Sequence, residues 1–183
     1  MDEIMPGKLL IADPFLRDPN FMRSVVFMCE HKEIGSFGFV LNRKYDQFLG
    51  ELIMGLETSN FPVYYGGPVQ VDTIHFLHQR PELIPGGVEV TDGIFWGGDF
   101  EIVVQLIKAN RLTSRDIRFF IGYSGWGEGQ LEEEMKLKSW ITGEGTRKLI
   151  FPTSVDNTWK EALKQLGGEY VQMVNYPIDP QLN

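Results

Sequence analysis

Residues Val25–Asn42 read VVFMCEHKEIGSFGFVLN, and the fold class turns on them. Val25-Val26-Phe27-Met28-Cys29 is short, β-branched and aromatic, the composition of a strand buried on both faces. Ser36 to Asn42, with Phe37, Phe39, Val40 and Leu41, is a second such run, and only the turn-like Lys32-Glu33-Ile34-Gly35 intervenes. Two strands joined by so short a loop pair antiparallel, as a hairpin. Working outward, the pattern predicts a brief helix over Phe48 to Met54. Strands are expected over Pro62 to Tyr65, Ile74 to His78 and Val88 to Phe95, punctuated by glycine pairs and prolines. Asp99 is placed to cap a helix whose apolar residues Phe100, Val103, Val104 and Ile107 share one face, with Lys108 and Arg111 near its end. Asp116 to Tyr123 reads as a strand, Gln130 to Ile141 as a helix, Lys148 to Phe151 as a strand, and Asn157 to Leu166 as a helix closed by Gly167. Consecutive strands early, with strand–helix alternation only late, favour an α+β fold over a doubly wound α/β sheet.

The 183 residues suffice for one core, so a single domain over 1–183 is expected. The 17 Lys and Arg against 25 Asp and Glu leave a net charge of −8, which argues against direct nucleic-acid binding, since that binding depends on neutralising phosphates. Aromatic residues at 13% argue against disorder. Cys29 is the single cysteine and cannot form an internal disulfide, and Met1-Asp2-Glu3 is acidic where a signal peptide is basic; both point to the cytoplasm. The longest apolar run, Val25 to Cys29, is far short of the roughly 20 residues of a membrane helix, so no membrane association is expected. The prolines of Tyr176-Pro177-Ile178-Asp179-Pro180 predict an irregular tail.

Several strings carry candidate chemistry. Gly97-Gly98-Asp99-Phe100 lacks the second acidic residue of the GG(D/E)EF cyclase signature, and turn plus cap explain all of it. In Gly122-Tyr123-Ser124-Gly125-Trp126-Gly127-Glu128-Gly129-Gln130, Ser124 is not followed two residues later by glycine, so a nucleophile elbow fails on spacing. Both phosphate-loop spacings are missing, and Glu128, Glu132, Glu133 and Glu134 oppose an anion. A neutral ligand stacked on Tyr123 or Trp126 remains open beside a structural glycine-rich corner. Cys29 and His31, two apart on a strand, are expected to share a face as a thiolate–imidazole pair or two metal ligands, with His75 and His78 elsewhere. One cysteine and three histidines do not make a four-ligand zinc set, and an apolar run beside Glu30 favours an inert thiol; no metal and no cofactor are expected. Asn42 and Arg43, with the Tyr65-Gly66-Gly67-Pro68 corner, either line a pocket or tie down loops.

Gly7-Lys8-Leu9-Leu10-Ile11-Ala12, Phe21 to His31, Gly38-Phe39-Val40-Leu41-Asn42-Arg43, Tyr65-Gly66-Gly67-Pro68-Val69, Phe76-Leu77-His78 and Gly122 to Glu132 together resemble, in order, the YqgE/AlgH family (UPF0301, DUF179). The resemblance implies a bacterial, cytoplasmic, compact α+β domain around a curled, barrel-like, largely antiparallel mixed sheet with flanking helices. It carries over no catalytic residue. The AlgH name implies an association with transcriptional regulation, which the acidic charge sets against direct DNA contact. Lys44 departs from the proline the family often has after Asn-Arg. The expectation is therefore a non-enzymatic regulatory or binding protein, acting on a protein partner or a small neutral ligand. Its surface would be formed by Cys29, His31, Asn42, Arg43, Gly66, Gly67, His78, Tyr123, Trp126 and Gln130. A cysteine-based redox sensor or enzyme and a transcriptional regulator are the alternatives. The oligomeric state is not legible.

Overall fold

The computed structural model describes residues 3–179; Met1, Asp2 and the expected tail's Pro180 lie outside the described residues. In chain order the elements are β1 (Lys8–Ala12), β2 (Val25–Lys32), β3 (Gly35–Val40), β4 (Lys44–Phe48), α1 (Leu49–Leu52), β5 (Pro62–Tyr65), β6 (Val69–His78), β7 (Val88–Thr91), β8 (Ile94–Trp96), α2 (Phe100–Lys108), β9 (Ile117–Gly127), α3 (Gln130–Lys136), β10 (Trp140–Glu144), α4 (Arg147–Ile150), α5 (Thr158–Leu166) and α6 (Tyr170–Met173).

The strands form one curled sheet in the order β10-β1-β2-β3-β9-β6-β8-β7, with β5 against β9 and β4 against β5. Only β5–β9 is parallel; the other pairs, including the β2–β3 hairpin, are antiparallel. The sheet curls without closing. Its two ends nevertheless approach, because Arg147 donates to the Asp92 carbonyl at 3.0 Å and Gly7 lies against Thr91. Strand alternation sorts side chains onto two faces. Leu9, Ile11, Val25, Phe27, Phe39, Phe120 and Ile94 come from strands along nearly the whole sheet yet share one core, so they occupy the concave face; Leu149, Ile150, Trp159 and Leu163 of α4 and α5 complete it. On the convex face, α1 and α2 cover Val63, Phe76, Phe119 and Ile121, while Trp126, Leu131 and Trp140 pack over Leu10, Val26 and Val40. Arg118 of β9 is buried and ties in the loop after α4: it donates to the Pro152 carbonyl at 2.7 Å and lies over the Tyr64 ring at 4.5 Å.

The Asp99 cap forms as expected, its carboxylate accepting from Ile102 N–H at 3.2 Å. Other expectations are corrected. Lys148 to Phe151 is not a strand, because Leu149 and Ile150 N–H turn back to the Thr146 carbonyl and form α4. The helix from Gln130 ends at Lys136; Lys138 then takes a left-handed φ of 57°, and Trp140–Glu144 pairs with β1 instead. Val88 to Phe95 splits at Asp92-Gly93, both at positive φ, into the β7–β8 hairpin. Strands β1 and β4 and helix α6 were not anticipated.

Gly67 holds the β5–β6 corner against β9. At φ +151° a Cβ there would sit 2.2 Å from the Tyr123 carbonyl carbon, and backbone cannot yield as a side-chain tip can. Gly67→Ala is expected to destabilise the fold by about 3 kcal/mol, read by denaturant unfolding. An unchanged midpoint would show that the corner and β9 can separate.

Candidate functional site

Near the β2–β3 hairpin, β9 runs antiparallel to β3 with Gly35↔Gly127, Ser36↔Trp126, Phe37↔Gly125 and Gly38↔Ser124 as partners. On its other side Val69 of β6 pairs with Tyr123. Between these strands and β8 lies a cavity of about 520 Å³ lined by Phe37, His75, Trp96 and Tyr123, with Ile34, Val69 and Glu30 also on its walls. All four ring side chains are half-buried. Phe39, fully buried, packs behind them, 6.1 Å from Phe37 and 5.3 Å from His75 between centroids.

The tautomer of His75 follows from its neighbour. Thr73 has one hydroxyl proton and gives it to the Gln70 carbonyl at 2.7 Å, so its oxygen accepts from His75 Nε2–H at 3.1 Å, which in the neutral ring leaves Nδ1 as the unprotonated nitrogen. Burial pushes the His75 pKa below its ordinary value, consistent with a neutral ring.

A β-bulge between Met28 and Glu30 decides what becomes of Cys29 and His31. Met28 pairs with Gly38 and Glu30 with Phe37, so Cys29 is the extra residue. Cys29 stays with the concave core, whereas His31 pairs with Ser36, its Nδ1 2.6 Å from the Ser36 hydroxyl and its Nε2 3.5 Å from Glu132 on the other face. The expected shared face is thus overturned. Burial, reinforced by the charge of Glu30, pushes the Cys29 thiol well up, away from a reactive thiolate.

The remaining candidates fall into place as follows. Asn42 clamps the chain before β2, accepting from Val25 N–H at 3.0 Å and donating to the Arg23 carbonyl at 2.9 Å; Arg43 donates to the Met22 carbonyl at 2.6 Å. Gly66 lies against β9, its carbonyl accepting from Val40 N–H at 2.8 Å and from the Ser124 hydroxyl at 3.0 Å, so Ser124 is buried and engaged. His78 is fully buried, its Nε2–H donating to the Gly97 carbonyl at 3.0 Å and its Nδ1 accepting from Arg80 N–H at 3.2 Å. Tyr123 is in the cavity wall; Trp126 borders the cavity and its indole donates to Glu134 at 2.9 Å, an acceptor shared with Trp140 at 2.8 Å. Gln130 is exposed and accepts from Gly127 N–H at 3.1 Å. Phe37, His75 and Trp96 were absent from the expected surface, because they come from three strands with no shared local pattern. The sequence offers two signals toward them, the lone His75 already named and the adjacent aromatics Phe95 and Trp96.

The family model described as AlgH-like (DUF179) matches residues 9–171, and the chain belongs to this family. A UPF0301 protein from Chlorobium limicola is 47% identical over 182 residues, covering 100% of this chain and 97% of its own. The solution structure of the AlgH protein from Pseudomonas aeruginosa superposes with a TM-score of 0.74 at 26% identity, covering 97% of this chain and 98% of that one. A crystal structure of a Corynebacterium diphtheriae protein gives a TM-score of 0.82 at 20% identity, covering 96% and 94%, and shares the fold. Among the described residues, no group of three or more His, Cys, Asp or Glu side chains is placed to hold a metal, and no helix is long and apolar enough to cross a membrane.

Two outcomes follow. Cys29 should resist thiol reagents in the native protein up to pH 9 and react at once in denaturant, read by intact mass; rapid native labelling would contradict its burial. Burial also lowers the pKa of His78, as it does that of His75, while the unfolded chain protonates both near about 6.5. The stability that depends on neutral rings is therefore complete above that value and lost as pH falls through it toward the folded values. The melting temperature should drop between pH 7.5 and 5.5; a flat profile would mean that the fold accepts both rings charged.

Proposed function

We propose that this protein is a non-enzymatic binding protein that takes a small organic ligand in the aromatic cavity between β3, β6, β8 and β9. The observation that carries this reading is the convergence of four half-buried rings, Phe37, His75, Trp96 and Tyr123, on one cavity of about 520 Å³. That volume is within the range of small-molecule sites, which are mostly apolar with a few polar groups that orient the ligand. An enzymatic reading lacks support, because Ser124 and His78 are engaged with backbone and the Cys29 thiol is held protonated. Ile34, at the hairpin tip and 82% exposed, gives the rim an apolar contact for a protein partner, the route by which occupancy would be passed on as regulation. The net charge of −8 supports such a partner over a phosphate backbone.

A panel of small aromatic and branched-alkyl compounds, screened by melting temperature and tryptophan fluorescence, tests the reading. Members that fit should raise the melting temperature and perturb emission in a saturable way, and Trp96→Ala should abolish both effects while the protein stays folded. No stabilisation by any member, or stabilisation that Trp96→Ala leaves intact, would remove the cavity as the functional site.

A further inference from the structure

Resting on the reading of the cavity as a ligand site, we propose its ligand class: a soluble organic cation bearing an alkylated ammonium group, of the trimethylammonium type. The four rings form a closed circuit. Ring centroids are 4.9 Å apart for Phe37–Trp96, 6.5 Å for Trp96–His75, 5.9 Å for His75–Tyr123 and 5.9 Å for Tyr123–Phe37. Three of these contacts are steeply inclined, at interplanar angles of 62°, 84° and 73°, so the ring faces point in different directions instead of stacking into one wall. Aromatic faces carry negative charge density, and several of them around one volume attract a cation whose charge is spread over methyl groups.

The other groups on the walls agree in sign. Glu30 supplies a carboxylate, and among the described residues no Lys or Arg lines the cavity. Glu30 also meets Lys32 at 3.0 Å, but Lys32 is exposed and that pair is screened by water. Burial disfavours a charge on His75, and its Nε2–H is spent on Thr73, so the ring does not oppose a cation. A primary ammonium calls for hydrogen-bond acceptors at its three N–H groups, whereas Ile34, Val69 and the rings make up the larger share of these walls. An alkylated one needs none, and its methyl groups gain from the same apolar walls. An anion would meet Glu30 with no cation among the described residues of the cavity walls to receive it.

Choline and 3,3-dimethylbutanol have nearly the same shape and differ in the charge of the quaternary centre, so titrating the full chain with each by calorimetry and tryptophan fluorescence isolates the cation. Choline is expected to bind about ten-fold or more tightly than the neutral isostere. Glu30→Gln, a change at a half-exposed side chain that leaves the fold intact, should weaken choline several-fold and leave the alcohol unchanged. Equal affinity for the two would overturn the cation while leaving the cavity a ligand site. Failure of choline to saturate would also overturn it, and binding by other members of the small-compound panel would then show whether the cavity itself still stands.

Discussion

The pairing of β9 with strands on both its sides is the constraint on which the molecule depends. Its first half is held between β5 and β6, β6 reaches on to Tyr123, and Ser124 to Gly127 pair with β3, so eleven residues join the two halves of the sheet. Side chains of β9 reach both faces: Phe120 enters the concave core, Phe119 and Ile121 face α2, and Trp126 packs under α3. The cost of bringing strands this close appears as glycine. Gly66, Gly67 and Gly122 lie where any Cβ would collide with backbone, and the same tightness leaves Tyr123 beside Phe37 at the cavity. Architecture and candidate site are thus consequences of one strand.

The bulge in β2 is the second device. Without it, alternation would carry Cys29 and His31 to one face and Glu30 to the other. With it, Glu30 comes opposite Phe37 and enters the cavity wall, while His31 turns to Ser36 and Glu132. A single inserted residue separates an apolar thiol environment from the one carboxylate on the cavity wall.

What was legible in the sequence follows from how local each signal is. The β2–β3 hairpin, the Asp99 cap and the helix closed by Gly167 are specified by residues close in sequence, and all three appear. Lys148 to Phe151 is too short for period to distinguish strand from helix, and only the tertiary setting makes it α4. Strand β10 was hidden because its partner β1 lies some 130 residues away, and no local pattern announces such a pairing. The site was half legible for the same reason. The two segments named from sequence, the hairpin and the Gly122–Gln130 corner, do meet, but the His75 and Trp96 rings arrive from strands whose neighbours are set only once the sheet has curled.

The place of β9 in the chain has a consequence for synthesis. A ribosome delivers β1 to β8 before residue 117 exists, and until then β6 has no β9 to pair with and the β2–β3 hairpin meets the following strands through the Val40 N–H to Gly66 carbonyl bond without the β3–β9 ladder. The nascent chain therefore carries Phe39, Phe76 and Leu77 without their final cover, in a stretch rich in strand-forming residues. Long-range pairing of this kind is slow and leaves strand edges open. Once β9 emerges it joins both halves, and β10 then completes the sheet on β1, so the protein passes from a vulnerable chain to a finished sheet late in synthesis.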